Sequence, residues 1–172
     1  MQYKPPFKSK ATQWGINKEP LARKAYEQRC KKDHSHFSDT EVGLFVSVKY
    51  PFLAASPDGL VECACHGKGC LEIKCTWSHR DKTVKEAAEA PGTCLTITSD
   101  KSLKLKTSHT YYPQVQLHTE ASNTYYCDFF IALLMIITKK EYFMTENSGR
   151  EAYRSLKLFL RSVLFLNLLL EG

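Results

Sequence analysis

Residues 54–60 read Ala54-Ala55-Ser56-Pro57-Asp58-Gly59-Leu60, and residues 71–75 read Leu71-Glu72-Ile73-Lys74-Cys75. The relation between these two stretches decides the fold. Ser56-Pro57-Asp58-Gly59 is a turn sequence, in which proline presets φ, aspartate bonds its own backbone and glycine accepts unusual angles. Residues 60–63 and 71–75 then form the two arms of a hairpin. Its expected tip, His66-Gly67-Lys68-Gly69, holds two glycines able to take positive φ. Along the second arm side chains alternate, so Glu72 and Lys74 share one face while Leu71, Ile73 and Cys75 share the other. A hairpin returning from Asp58 to Glu72 brings two carboxylates within one metal-ion diameter. Two hard oxygen ligands with an open coordination sphere suit Mg²⁺, which keeps waters and takes its other ligands from phosphate. Lys74 beside them supplies a cation that orients or deprotonates an attacking water and offsets phosphate charge.

Working outward, residues 17–32 read as a helix capped by Asn17, with Pro20 in its first turn. Glu19, Ala22 and Tyr26 fall on one face of it, which points a carboxylate inward. Residues 42–49 and 52–55 read as strands, 82–90 as a short helix, and 93–98 with 102–106 as a hairpin around Asp100. A helix over 110–122 tolerates Pro113 only in its first turn. The continuous apolar run 125–138 predicts a central strand covered on both faces. Residues 150–169 form a leucine-rich amphipathic helix that packs into the core or against another subunit. This order predicts an α/β (α+β) fold, a mixed sheet flanked by helices, with residues 1–14 as an extended lead-in and 15–172 as a single domain.

Composition narrows the function. With 172 residues, 43% hydrophobic and 12% aromatic, the chain can bury a core and is not a solvated tail. A net charge of +6 permits a polyanionic partner without demanding one. Residues 129–138 are too short to span a bilayer, and 156–170 are broken by Lys157, Arg161 and Asn167. No basic segment leading to a small-residue cleavage site opens the chain, which predicts an intracellular, reducing setting, with the nucleus as compartment if the source is eukaryotic. No phosphate-binding glycine loop occurs, and no cysteine sits at a helix start after a glycine turn, so neither an NTPase nor a cysteine protease is indicated. His109 and His118 read as helix-flanking surface residues, and His34 and His36 as loop histidines. Cys63, Cys65, His66, Cys70 and Cys75 crowd the hairpin. Their spacing is not the paired C-x2-C of zinc knuckles, so packed, reduced thiols are the default and a structural Zn²⁺ the lesser alternative. Cys30, Cys94 and Cys127 read as interior.

Pro57-Asp58, thirteen residues, then Glu72-Ile73-Lys74 resembles the signature of PD-(D/E)xK nucleases. More narrowly, the chain resembles the YqaJ-like viral recombinase group, which includes lambda exonuclease. Gly15-Ile16-Asn17-Lys18-Glu19-Pro20-Leu21-Ala22, Tyr111-Tyr112-Pro113-Gln114-Val115-Gln116 and Tyr126-Cys127-Asp128-Phe129 agree in order and on the expected elements. The resemblance implies a restriction-endonuclease-like αβββαβ core and hydrolysis of phosphodiester bonds in linear duplex DNA, from 5′ to 3′, in recombination or repair. It implies Asp58, Glu72 and the Ile73 carbonyl as ligands of Mg²⁺, for which Mn²⁺ substitutes. Glu19 would act through a second metal or a water. Lys74 would position the nucleophile, and Gln114 would orient the site, with Tyr111 and Gln116 as substrate contacts. The partners implied are DNA ends, a single-strand annealing protein and further copies of the chain in a trimer, with no membrane. Family members carry an upstream Arg and a Thr/Ser-Ala-Ser stretch that binds the 5′ phosphate. Residues 1–14 do not match it, which predicts a truncated chain or lost end recognition. The rival readings are an inactive DNA-binding descendant of the fold and a zinc-stabilised interaction module built on hairpin 63–75.

Overall fold

The computed structural model describes residues 9–99 and 102–133 and the backbone of a strand over Met144–Glu146. The expected helix over 150–169, the far end of the expected strand 125–138, the hairpin tip at Asp100 and the first residues of the lead-in lie outside the described residues.

Helix α1 (Lys10–Asp33) begins at Ser9, whose hydroxyl accepts the Thr12 N–H at 3.1 Å, and ends at His34, whose N–H reaches the Cys30 carbonyl. It therefore starts well before Asn17, and residues 10–14, expected to be extended, are helical. Pro20 lies in the helix interior, where it removes one backbone hydrogen bond. The helix survives because a stripe of Ala22, Arg23, Tyr26 and Cys30 is buried on the sheet, and tertiary burial outweighs local propensity.

The main sheet has five strands in the order β1 (Ser38–Thr40), β4 (Gly59–Cys63), β5 (Gly67–Cys75), β8 (Cys127–Ala132) and β9 (Met144–Glu146). Only the β5–β8 pair is parallel. The crossover between them carries α2 (Val84–Glu89), the ribbon β6 (Leu95–Ile97) with β7 (Leu103–Leu105), and α3 (Tyr111–Ser122). All six residues of β8 are buried, as its continuous apolar run requires. The expected strand 42–49 shrinks to β2 (Phe45–Val46), paired with β3 (Ala54–Ala55) in a separate ribbon. Its alternation is not buried: Val46 is 52% and Val48 95% exposed. Strand β1, which pairs with β4 instead, has no apolar pattern to announce it.

The hairpin turn falls at residues 64–66 and so begins two residues before the expected tip. Gly67 takes φ 73°, and Gly69 sits inside β5 under the Tyr126 ring, where a Cβ would collide with that ring. Leu71, Val61, Phe129, Phe130, Tyr26 and Leu95 are fully buried in one core, where Phe130 packs on Tyr26 of α1 and Phe129, on the opposite face of the sheet, packs on Tyr111 of α3. Each such side chain contributes about 1.5–3 kcal/mol. No helix among the described residues is long and apolar enough to cross a membrane.

Candidate active site

Asp58 immediately precedes β4 and is clipped to β5 twice. Its N–H donates to the Leu71 carbonyl at 2.9 Å, and its Oδ2 accepts the Ile73 N–H at 2.6 Å. Because Gly59 pairs with Leu71, Asp58 comes to lie opposite Glu72. The two carboxylates thus meet because the hairpin has this register. Strand β5 is central, so Glu72 is only 2% exposed, unlike the surface charge of an edge strand.

Each oxygen of Glu72 has a distinct surrounding. Oε1 accepts the Gln114 side-chain N–H at 2.8 Å and pairs with the Lys74 ammonium. Oε2 lies 3.2 Å from His118 Nδ1, yet no hydrogen bond is aligned between them. The Lys74 ammonium also sits 5.0 Å from the centre of the Tyr111 ring. Gln114, Tyr111 and His118 share one face of α3, one or two turns apart. Glu19, half-buried on α1, adds negative potential at Asp58.

Electrostatics separates the two carboxyls. Burial pushes Asp58 up to about 6, and the Glu72 charge adds to this against the Ile73 N–H. Burial would raise Glu72 as well, but His118 and the Lys74 cation outweigh it and hold that carboxyl below its usual value. Lys74 is kept charged, because Glu72 and Asp58 overcome its own burial.

Arg23 of α1 holds the turn from below. Its guanidinium donates to the Asp58 carbonyl at 2.5 Å and to Asp39 at 2.7 Å, and reaches Glu41 at 3.4 Å. A cleft of about 310 Å³ opens beside the cluster, lined by Cys75, Trp77, Leu95, His109, Tyr111 and Leu133. Near its mouth the Lys18 ammonium sits over Trp14 and the Arg80 guanidinium over Trp77, with the two indoles edge to face at 5.5 Å.

Of the expected site residues, Asp58, Glu72, Lys74, Gln114, Tyr111 and the Ile73 backbone come together, with Glu19 alongside. Gln116 does not join them. It is 2% exposed with neither amide atom hydrogen-bonded, and lies about 200° round the helix from Gln114. His118, expected on the surface, is 4% exposed and faces Glu72. Its spacing of four from Gln114 carries that signal. Arg23, one of a run of basic residues, gives no such signal. Cys70 and Cys127 are buried, and Cys75 is half-buried.

The donors present fit a hard divalent cation. Glu72 Oε2 is a buried carboxylate oxygen without a hydrogen bond, and Asp58 has committed one oxygen to Ile73 and kept the other. The mixed sheet with this carboxylate–lysine cluster at its centre defines a restriction-endonuclease-like fold. The chain belongs to the YqaJ-like viral recombinase domain family, whose model matches residues 1–124. Among solved structures it is similar to an alkaline exonuclease, LHK-Exo, from Laribacter hongkongensis. The identity is 25% and the TM-score 0.58, over 96% of this chain and 74% of that one. The same exonuclease in complex with dAMP matches equally well. No curated protein matches the chain.

Proposed function

We propose that this chain is a Mg²⁺-dependent deoxyribonuclease that hydrolyses phosphodiester bonds of linear duplex DNA, removing nucleotides from 5′ to 3′. The single observation that carries the reading is the buried Glu72 carboxylate lying opposite Asp58 in the hairpin register, with the Lys74 ammonium on its Oε1 and no hydrogen bond formed at its Oε2. Asp58, Glu72 and the Ile73 carbonyl would hold Mg²⁺, with Glu19 acting through a second ion or a water. Such an ion supplies Lewis acidity and a more acidic bound water. Lys74 orients the attacking water and offsets charge on the phosphate. Gln114 fixes Glu72 by one oxygen, and the other, beside His118, forms no hydrogen bond of its own. The Trp14–Lys18 and Trp77–Arg80 pairs supply aromatic faces and cations for bases and phosphates at the cleft. Membership of the YqaJ-like family supports DNA as substrate, and the likeness to an alkaline exonuclease supports attack from ends. A trimer, a single-strand annealing partner and a reducing intracellular setting belong to the same reading.

The test is release of nucleotides in Mg²⁺ from linear 5′-phosphorylated duplex, with closed circles and single strands alongside. Release from linear duplex alone, abolished in Asp58→Asn and Lys74→Ala, is expected. Cleavage of closed circles would make it an endonuclease. Absence of release in Mg²⁺ or Mn²⁺ from folded protein would overturn the reading in favour of an inactive DNA-binding descendant.

A further inference from the structure

At the end of α1 remote from the carboxylates, four side chains outside the nuclease cluster converge: His34, Cys63, Cys65 and His66, with all four ligand atoms within 4.8 Å of one another. His34 is the C-cap of α1, Cys63 ends β4, and Cys65 and His66 form the turn into β5. His34 Nδ1 is 3.2 Å from Cys65 Sγ, Cys63 Sγ is 3.6 Å from His66 Nδ1, and the two sulfurs are 3.3 Å apart. Metal–ligand bonds of about 2.0–2.3 Å place tetrahedral nitrogen and sulfur donors about 3.3–3.8 Å apart. The observed separations lie at or close to that range.

We propose that His34, Cys63, Cys65 and His66 bind one structural Zn²⁺, which fastens the carboxyl end of α1 to the β4–β5 hairpin.

Three features support this assignment. Two thiolates and two imidazoles are the closed ligand set of structural zinc, without the open position a catalytic site keeps. The backbone already serves one ligand, since the His66 N–H donates to Cys63 Sγ at 3.3 Å, and the Ala64 N–H ties the turn to the residue after His34 by donating to the Ser35 carbonyl at 2.9 Å. Such donors orient metal ligands from outside the coordination sphere. The chain reversal that lays His34 over the turn depends on His36, which takes a left-handed φ of 54°. Cysteine spacing along the sequence conceals the site, because its fourth ligand comes from α1. Cys70 and Cys75, which the spacing had grouped with Cys63 and Cys65, take no part. None of the seven cysteines is in a disulfide, so the thiols are available as ligands. The tie is consequential, since α1 also carries Glu19 and Arg23 and the hairpin carries Glu72.

The test is metal analysis of the full chain, purified under reducing conditions without chelator. Wild type, Cys65→Ser, His34→Ala and Glu72→Gln would be compared, with folding followed by circular dichroism. About one zinc per chain is expected in wild type and in Glu72→Gln, with retention falling at least about tenfold in the other two. Titration of reduced, zinc-free wild type with Co²⁺ is expected to give thiolate-to-cobalt charge-transfer absorption with a tetrahedral visible spectrum. This readout does not depend on the variants folding. Zinc lost from Glu72→Gln but kept by the other variants would overturn the proposal by placing the ion in the nuclease cluster. So would wild type that holds no zinc, or a cobalt titration without charge-transfer absorption. Each outcome is independent of nuclease activity.

Discussion

His118 Nδ1 lies 3.2 Å from Glu72 Oε2, and the two side chains are 5% and 2% exposed. One turn of α3 therefore presses an amide and an imidazole against the two oxygens of one carboxylate. Gln114 has formed its hydrogen bond and His118 has not. If Glu72 holds the metal, as proposed, His118 is placed to act on it as a positioning residue through Oε2. His118→Ala is expected to raise the half-saturating Mg²⁺ concentration or lower turnover about 10–100-fold. Activity measured across a Mg²⁺ series separates these from a stability effect, because excess Mg²⁺ restores the rate only if affinity was lost. An unchanged Mg²⁺ dependence and rate would remove His118 from the site.

Arg23 ties α1 to the Asp58 turn through the Asp58 carbonyl while it neutralises Asp39, whose side chain is 1% exposed. Arg23→Ala leaves Asp39 buried without its cation, at a cost of about 3–5 kcal/mol. Arg23→Lys keeps a charge but cannot hold carbonyl and carboxylate in one planar fork. It is expected to remain folded, melt lower than wild type and lose nuclease rate. A melt and a rate both equal to wild type would show that the fork does not matter.

What the sequence made legible follows from chemistry that is local in the chain. Asp58, Glu72 and Lys74 stand out because a turn and a period of two place them on one strand face. The burial of β8 follows from an apolar run broken only by Asp128. The start of α1 is hidden in the sequence because Pro20 imitates a first-turn proline, and only the burial of Ala22, Tyr26 and Cys30 shows that the helix runs through it. Strand β1 gives no signal in the sequence because Ser38-Asp39-Thr40 has no apolar alternation, and its place depends on pairing with β4 and on Arg23. His118 was readable from its spacing to Gln114. The convergence of His34 with the hairpin was not, because nothing local relates residue 34 to residues 63–66.

The Tyr26 hydroxyl donates to Asp128 Oδ2 at 2.5 Å, joining α1 to β8 in the interior. Burial, followed by the Asp128 charge, drives the Tyr26 phenol far above its usual range, so it remains a donor at every working pH. Tyr26→Phe removes the donor and leaves the carboxylate in place. The expected cost is about 1–3 kcal/mol, seen as a fall in melting temperature of roughly 2–12 °C. Asp128→Asn, which keeps an acceptor, should cost less than Tyr26→Phe. The reverse order would mean that the charge of Asp128, rather than the phenol bond, secures α1.

Asp58, Glu72 and Glu19 make a cluster of like charge that the metal-free protein must hold together. The Asp58 carboxyl is raised by burial and by Glu72 from 3.8 to about 6. A carboxyl raised in the folded state binds protons more readily there than in the unfolded chain. Its stabilising contribution is therefore complete below about pH 4 and is lost as pH climbs through about 6. At pH 7 to 8 the ionised cluster costs on the order of 1 kcal/mol, after allowance for solvent screening at a partly exposed group. Asp58→Asn keeps an acceptor for the Ile73 N–H and removes the charge. In chelator at pH 7.5 it is expected to melt a few degrees above wild type, with the difference vanishing near pH 4. Added Mg²⁺ should raise the melting temperature of wild type and leave Asp58→Asn nearly unmoved. If Asp58→Asn melted below wild type in chelator at pH 7.5, the carboxylate would be stabilising the fold, and the account of Asp58 as a strained ligand would fail.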